Sequence, residues 1–259
     1  MSETRIEWTD ATWNPVAGCS VLTTGCTHCY AMAMAKRLEA MGVEKYAGLT
    51  HSSGKRIVWN GVVKEDTEAL SLPHKWKKPR KVFVNSMSDL FHERVSDSLR
   101  MEVWQVMRDT PRHNYQILTK RPERMSEFVS GKVEAILPNV WLGTSVEDRD
   151  AIGRLEQLRR TPAAIRFISF EPLIGSIGSI DVAGIHRAVV SDESGRDARP
   201  IREEWIDEIH IQCVRHGTAF FFKQWGTWGR DNKRRSKSAN GREYRGRTWD
   251  EMPAAVTLK

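Results

Sequence analysis

The 259-residue chain is 40% hydrophobic and 28% charged, with a mean hydropathy of −0.50, a composition that excludes intrinsic disorder for the bulk of it and fits one domain or at most two. Its apolar runs, of which Ala219-Phe-Phe-Phe222 is typical, fall short of the roughly 18 residues of a membrane span, and Met1-Ser-Glu-Thr-Arg-Ile-Glu-Trp8 has no apolar leader, so a cytoplasmic protein with no membrane partner is expected. The net charge of +7 is uneven: Arg230 to Arg247 holds eight bases against two acids, a net +6.

In chain order, a short strand is expected just before Cys19. After it, Gly18-Cys19-Ser-Val-Leu-Thr-Thr-Gly-Cys26-Thr-His28-Cys29-Tyr30 places three thiols on one loop with spacing C-x6-C-x2-C. Such clustering suits a ligand set better than disulfides. Structural zinc takes four ligands, so a zinc reading needs His28 or Cys213 as the fourth. His28 between two thiolates would be strained, and Cys213 shares an apolar helical stripe with Trp205, Ile206 and Ile209, which reads as core. Three thiolates with an open fourth position match an iron–sulfur cluster that keeps one iron free.

Arg56-Ile-Val-Trp-Asn-Gly-Val-Val63 places Asn60-Gly61 between apolar pairs, predicting a β-hairpin within a small insertion at about 54–80. Pro73 to Arg80 reads as a loop. Strands are then expected at Lys81–Asn85, Tyr115–Thr119, Val140–Thr144, Ile165–Ser169, Arg187–Ser191 and Thr218–Phe222, with helices at Asp97–Arg108, Pro122–Val129, Asp148–Arg160 and Ile201–Arg215. Strand then helix, about seven times over, predicts an α/β fold, a partial or complete TIM-type βα barrel spanning 1–225. From Gly226 the apolar period is lost, so 226–259 is expected to form a basic, Trp-containing extension. Its Trp225, Trp228, Tyr244 and Trp249 interleave with bases, a pattern that can stack on unpaired nucleobases.

Ligands in such folds sit at the carboxyl ends of the strands. Here those positions carry Ser86, Ser88 and Asp89, then Lys120 and Arg121, then Ser145, Glu147 and Asp148, then Glu171, then Asp192, Glu193 and Ser194, then Lys223 and Gln224. Ser96, Asp148 and Asp197 read individually as helix caps. Six strands ending this way predict one polar cavity at one mouth of the sheet.

The three-cysteine loop after the first strand, with His28 and Tyr30 flanking Cys29, resembles the radical S-adenosylmethionine (SAM) superfamily, whose usual first gap is three residues rather than six. Nearly the whole chain is similar to a phage- and prophage-associated branch. The resemblance is carried by Trp13-Asn-Pro-Val-Ala-Gly-Cys19, Val82-Phe-Val-Asn-Ser-Met-Ser-Asp-Leu-Phe91, Leu118-Thr-Lys-Arg-Pro-Glu-Arg-Met125, Trp141-Leu-Gly-Thr-Ser-Val-Glu147, Ser169-Phe-Glu-Pro-Leu173, Glu193-Ser-Gly195 and Phe221-Phe-Lys-Gln-Trp225. That branch resembles in turn spore photoproduct lyase, a DNA-repair enzyme. One departure is Ser191-Asp192 where the branch has Gly-Gly, so that Asp192 either narrows the pocket or adds a carboxylate to it.

The resemblance implies that Cys19, Cys26 and Cys29 hold a 4Fe–4S cluster whose fourth iron takes SAM, and that reductive cleavage of SAM yields a deoxyadenosyl radical that abstracts hydrogen from a substrate. It implies Lys120 on the SAM carboxylate, Ser145 on the ribose and Ser86 or Ser88 on the amino group, with His28 and Tyr30 beside the cofactor. Glu147, Glu171, Glu193 and Lys223 remain for substrate or proton handling. A nucleic-acid base is the expected substrate, in DNA more than RNA, as in phage DNA modification or repair, and flavodoxin or ferredoxin the expected electron donor. The alternatives are a zinc-stabilised nucleic-acid-binding module and a non-catalytic, degenerate iron–sulfur phage accessory protein.

Overall fold

A computed structural model describes Thr4 and residues 6–254. Seven parallel strands, β1 (Ala11–Trp13), β6 (Lys81–Val84), β7 (Asn114–Thr119), β8 (Val140–Ser145), β9 (Ile165–Phe170), β10 (Arg187–Ser191) and β11 (Ala219–Gln224), lie side by side in chain order. Each pairs in parallel with the next. An order that never reverses winds the crossovers one way, curling the sheet into a half-barrel. The expected α/β partial barrel is therefore present. Between β1 and β6 lie β2 (Val16–Ala17), β3 (Thr50–Ser53), β4 (Arg56–Trp59) and β5 (Lys64–Glu65), forming the antiparallel pairs β2–β5 and β3–β4.

Alternation decides what each face buries. Val82, Val84, Tyr115, Ile117, Val140, Leu142, Ile168, Phe170, Ala188, Val190, Phe220 and Phe222 join one core with apolar faces of α3 (Asp97–Asp109), α4 (Pro122–Lys132), α5 (Gly153–Arg160) and α6 (Glu203–His216). The intervening residues line the concave face, with Trp8, Phe83, Val189 and Phe221 in one cluster and Trp141, Ile165 and Phe167 in another. That aromatic floor also takes in Gln116 and Arg187, the latter over the Phe221 ring, while the carboxyl-end mouth gathers the densest set of polar side chains.

Several expectations need correction. The hairpin is β3–β4, turning at Gly54 (φ +60°) and Lys55, not at Asn60-Gly61. Asn60 instead accepts from the Val62 amide (3.0 Å) and donates to the Gly48 carbonyl (2.8 Å), satisfying a bend rather than a two-residue turn. The expected loop at Pro73–Arg80 begins inside α2 (Leu72–Lys75). The helix expected from Asp148 is a 3-10 turn at Arg149–Ala151 followed by α5. Asp148 does cap that turn and Ser96 caps α3, but Asp197 caps nothing, because α6 starts six residues later behind Arg202. A further helix, α1 (Tyr30–Ala40), follows Cys29.

The segment after Trp225 is not an appendage. Trp225 and Tyr244 are buried within the main core and Trp249 packs against it. Asp250 bridges to Phe221, covering the free edge of β11. The Trp225 indole donates to the Glu243 carbonyl (2.7 Å) and Trp228 to that of Ala198 (2.6 Å), beneath the Arg234 guanidinium. These rings are committed within the protein, which removes Trp225 and Tyr244 as stacking surfaces. Residues 255–259 of the expected extension lie outside the described residues.

If this segment is part of the core, Tyr244→Ala should lower unfolding free energy by about 3–5 kcal/mol, as loss of a buried aromatic does. Denaturant titration measures this, and a change near zero would make 226–254 an independent appendage after all.

Candidate active site at the sheet mouth

The cysteine loop lies across the carboxyl ends of the strands and is anchored there by side chains. The Thr23 hydroxyl donates to Glu147 (3.1 Å) and that of Thr24 to Asp148 (3.4 Å). The Arg199 guanidinium donates to the Thr24 carbonyl (3.0 Å), and His28 Nδ1 lies 3.0 Å from Glu193. Contact at Gly25 is close enough to require glycine, since a β-carbon there would stand 2.4 Å from Glu147 Cγ. At the other end of the loop Gly18 pairs with Ser88, and the Ser20 hydroxyl meets His92 Nε2 at 2.8 Å.

Cys26 is buried and Cys19 and Cys29 are half-buried. Cys29 feels the charge of both other thiols, and also that of Lys120. Burial pushes the Cys19 thiol up to about 12, with Asp89 adding to the rise, and burial raises Cys29 as well. Without a metal these two thiols hold their protons, and a metal that binds them must displace those protons. Among the described residues, no three His, Cys, Asp or Glu side chains converge on a single-ion site. That disfavours a zinc centre, which gathers four ligands on one ion. A 4Fe–4S cluster has a different demand, because each thiolate binds a separate iron and the sulfurs stand apart. Cys29 interacts with Cys26 and Cys19 interacts with Cys29, and three thiols without a fourth ligand are the donor chemistry such a group takes. Cys213, 1% exposed and buried on α6 with Ile206 and Ile209, belongs to the core.

Around the loop the expected polar residues are paired. Glu147, 1% exposed, receives the Lys120 ammonium and the Arg154 guanidinium (2.8 Å). Burial works against its carboxylate, but Lys120 and then Arg154 outweigh it and hold the pKa below the ordinary value. Glu193 is likewise buried and likewise lowered, here by hydrogen bonds from Arg199 and His28. Lys223 meets Glu171 at 2.5 Å. Tyr30, largely exposed, donates to the Ser86 carbonyl (2.6 Å). Ser86 donates to Asn14 Oδ1 (3.1 Å) and Ser88 to the Val16 carbonyl (2.8 Å). Ser145 is buried, in register with Ser169 on the next strand, and its hydroxyl makes no hydrogen bond among the described residues.

Arg154 and Arg199 were not singled out from sequence, nor was a role for Ser169. Arg154 and Arg199, which complete the two buried carboxylates, lie on a helix and a loop and carry no motif. Ser169 Oγ on the concave face is buried without a partner. Asp192, left open above, points its Oδ2 to the Ile201 amide (3.3 Å) on the approach to α6, while Oδ1 has no partner. Burial, with the Glu193 charge beside it, pushes the Asp192 carboxyl up to about 8.

The sign of the linkage follows from that shift. The folded protein keeps the Asp192 proton over the range from the ordinary 3.8 to about 8, where the unfolded chain has lost it. Stability from this group therefore falls as pH rises through that window, with a slope up to about 1.4 kcal/mol per pH unit. Asp192→Asn should remove this fall. Denaturation midpoints between pH 5 and 8 that decline equally in both proteins would show that Asp192 is not the titrating group.

Among known proteins, no curated one matches the chain. A solved structure titled "Spore photoproduct lyase complexed with dinucleoside spore photoproduct" is similar at 11% identity and a TM-score of 0.43, over 83% of this chain and 64% of that one. This chain thus spans less than two thirds of that protein's length. A family model described as "Protein of unknown function (DUF5131)" matches residues 3–253, and by that match over almost its whole length the chain belongs to the DUF5131 family.

Proposed function

We propose that the chain is an iron–sulfur enzyme of the radical SAM type, with Cys19, Cys26 and Cys29 as ligands of a 4Fe–4S cluster. The observation that supports the reading is the anchoring of the three-thiol loop to Glu147, Asp148 and Glu193 at the carboxyl ends of a parallel half-barrel. A cluster and SAM bound there supply one-electron reductive cleavage of the sulfonium and hence a carbon-centred radical.

The work of the chain itself is binding, orientation and exclusion of water. Lys120, ion-paired with Glu147 and felt by Cys29, can turn part of its charge to a SAM carboxylate. The Ser145 hydroxyl is available for a ribose hydroxyl. Ser86 suits the amino group better than Ser88, because its bond to Asn14 is an exchangeable side-chain contact whereas Ser88 holds a strand carbonyl. His28 and Tyr30, on either side of Cys29 in sequence, would stand beside the cofactor. Glu147 and Glu193 are saturated by their partners, so proton handling falls to Glu171 and Lys223, whose pair faces the concave side.

The substrate class we infer is a nucleic-acid base, in DNA before RNA. The mouth is flanked at β10–β11 by Arg196 and Arg230, with side chains 74% and 64% exposed, and cations there can neutralise phosphates. A base inside a duplex must be flipped or met in a single strand. A flavodoxin- or ferredoxin-type donor would supply the electron.

Anaerobic reconstitution tests the reading directly. Iron and sulfide should be retained by wild-type and Cys213→Ala protein and lost from Cys26→Ala, with 5′-deoxyadenosine released on reduction with SAM. Retention of zinc alone would overturn it. Lys120→Ala should weaken SAM binding by about 1.5–3 kcal/mol, the worth of a charge-assisted contact, and an unchanged Kd would take Lys120 out of the site. For the substrate, DNA affinity should fall steeply with salt. Arg196→Ala with Arg230→Ala should reduce the log–log slope by roughly 1.8, whereas affinity undetectable at low salt would point to a small molecule.

A further inference from the structure

We propose that Arg121 is a positioning residue for the cluster: its unpartnered guanidinium nitrogen donates to the sulfur of the Cys19 corner and raises the reduction potential there. The inference rests on the cluster reading above and adds a residue that the strand-end pattern left without a role.

Arg121 follows β7 at the entry to α4 and is 5% exposed. Two of its nitrogens are accounted for, Nη1 by Asp89 (3.0 Å) and Nε by Glu93 (2.7 Å). Nη2 is buried with no partner. A tether between the ends of β6 and β7 explains the first two contacts and leaves the third donor over. Asp89 cannot absorb it, since its two oxygens already take the Thr119 hydroxyl, the amides of Phe91 and Lys120, and Nη1.

Cys19 is held within electrostatic reach of this same group. The Gly18–Ser88 bridge and the Ser20–His92 hydrogen bond pin the residues on either side of Cys19 to the segment that carries Asp89 and Glu93, and Cys19 and Arg121 each feel the other's charge. A buried N–H without an acceptor, beside a thiol proposed to bind iron, has a natural partner in the negative charge of a thiolate-ligated cluster. Hydrogen bonds to the sulfurs and nearby cations favour the more negative, reduced state and so raise the potential.

The test is a mediated redox titration of the anaerobically reconstituted protein with dithionite, followed by electron paramagnetic resonance of the reduced cluster. Two variants are compared with wild type. Arg121→Lys keeps the charge and loses the fork. The pair Asp89→Asn with Arg121→Gln removes both charges together, so that no buried carboxylate is stranded. The ratio of reduced to oxidised cluster at a fixed potential should fall at least tenfold in Arg121→Lys, 59 mV for one electron, because the sulfur-directed donor is lost at constant charge, and by less in the double variant, where loss of the Asp89 charge beside Cys19 acts the other way. An unchanged potential in Arg121→Lys at full iron content makes Arg121 a tether only and overturns the proposal. Wild-type protein that takes up no iron fails one step earlier, at the cluster reading, and is recognised by metal content alone.

Discussion

The Glu147 carboxylate is buried at the end of β8 and accepts from Thr23, Lys120 and Arg154 together. A charge so far from water is tolerable only when its partners neutralise it and its lone pairs are used, and here two cations and a hydroxyl do both. The cysteine loop depends on this arrangement more than on its own backbone. Between Cys19 and Cys29 the regular structure is a single 3-10 turn at Thr24–Cys26, so the position of the loop over the sheet is set by where Thr23, Thr24 and His28 find acceptors. Gly25 pressed against the Glu147 side chain shows how little room that docking leaves.

Once the loop is fixed this way, the charged strand ends divide into two kinds. Glu147 and Glu193 are closed, each with several donors and little exposure, and act through the loop they hold. Glu171 and Lys223 form a simple pair, the lysine buried and the glutamate 25% exposed, which leaves Glu171 acceptor capacity for a further donor. A row of acids and bases after successive strands therefore mixes anchoring with chemistry, and the count of donors on each carboxylate separates them.

The strands from Lys81 onward were legible because alternation is a local signal: Arg187–Ser191 was bounded as observed and the others to within two residues, whereas the first sheet strand, expected just before Cys19, is Ala11–Trp13, and the short strand at Val16–Ala17 pairs outside the main sheet. The helix α1 was missed although Tyr30-Ala-Met-Ala-Met-Ala-Lys-Arg-Leu-Glu-Ala40 is rich in strong helix formers, because its buried stripe of Ala31, Met32 and Ala35 is too small to give an amphipathic period. The hairpin was misplaced because β3, Thr50-His-Ser-Ser53, is polar and exposed, while Asn60-Gly61 offered a stronger local turn signal that the fold uses otherwise. The three thiols were found by spacing, yet the pairings that anchor their loop were not. Thr23 meets Glu147 across 124 residues and His28 meets Glu193 across 165, and nothing local in the sequence encodes such pairings.

The carboxyl-terminal segment shows why charge and aromatic content must be weighed separately. Its rings are spent on stability: Trp225 and Tyr244 fill the core, and Arg247 covers Trp249 at 3.5 Å. A ring withdrawn from the core costs its whole burial. Its cations are also paired, Arg230 with Glu203, Lys237 with Glu7, Arg245 with Asp207 and Arg235 with Asp231, but pairs at the surface are worth little and exchange readily for another anion. The folded segment is thus unable to offer Trp225 or Tyr244 to a base and still able to offer its arginines to phosphate. Under the proposed reading, this flank would follow the backbone of a nucleic acid and leave the base to the polar strand ends.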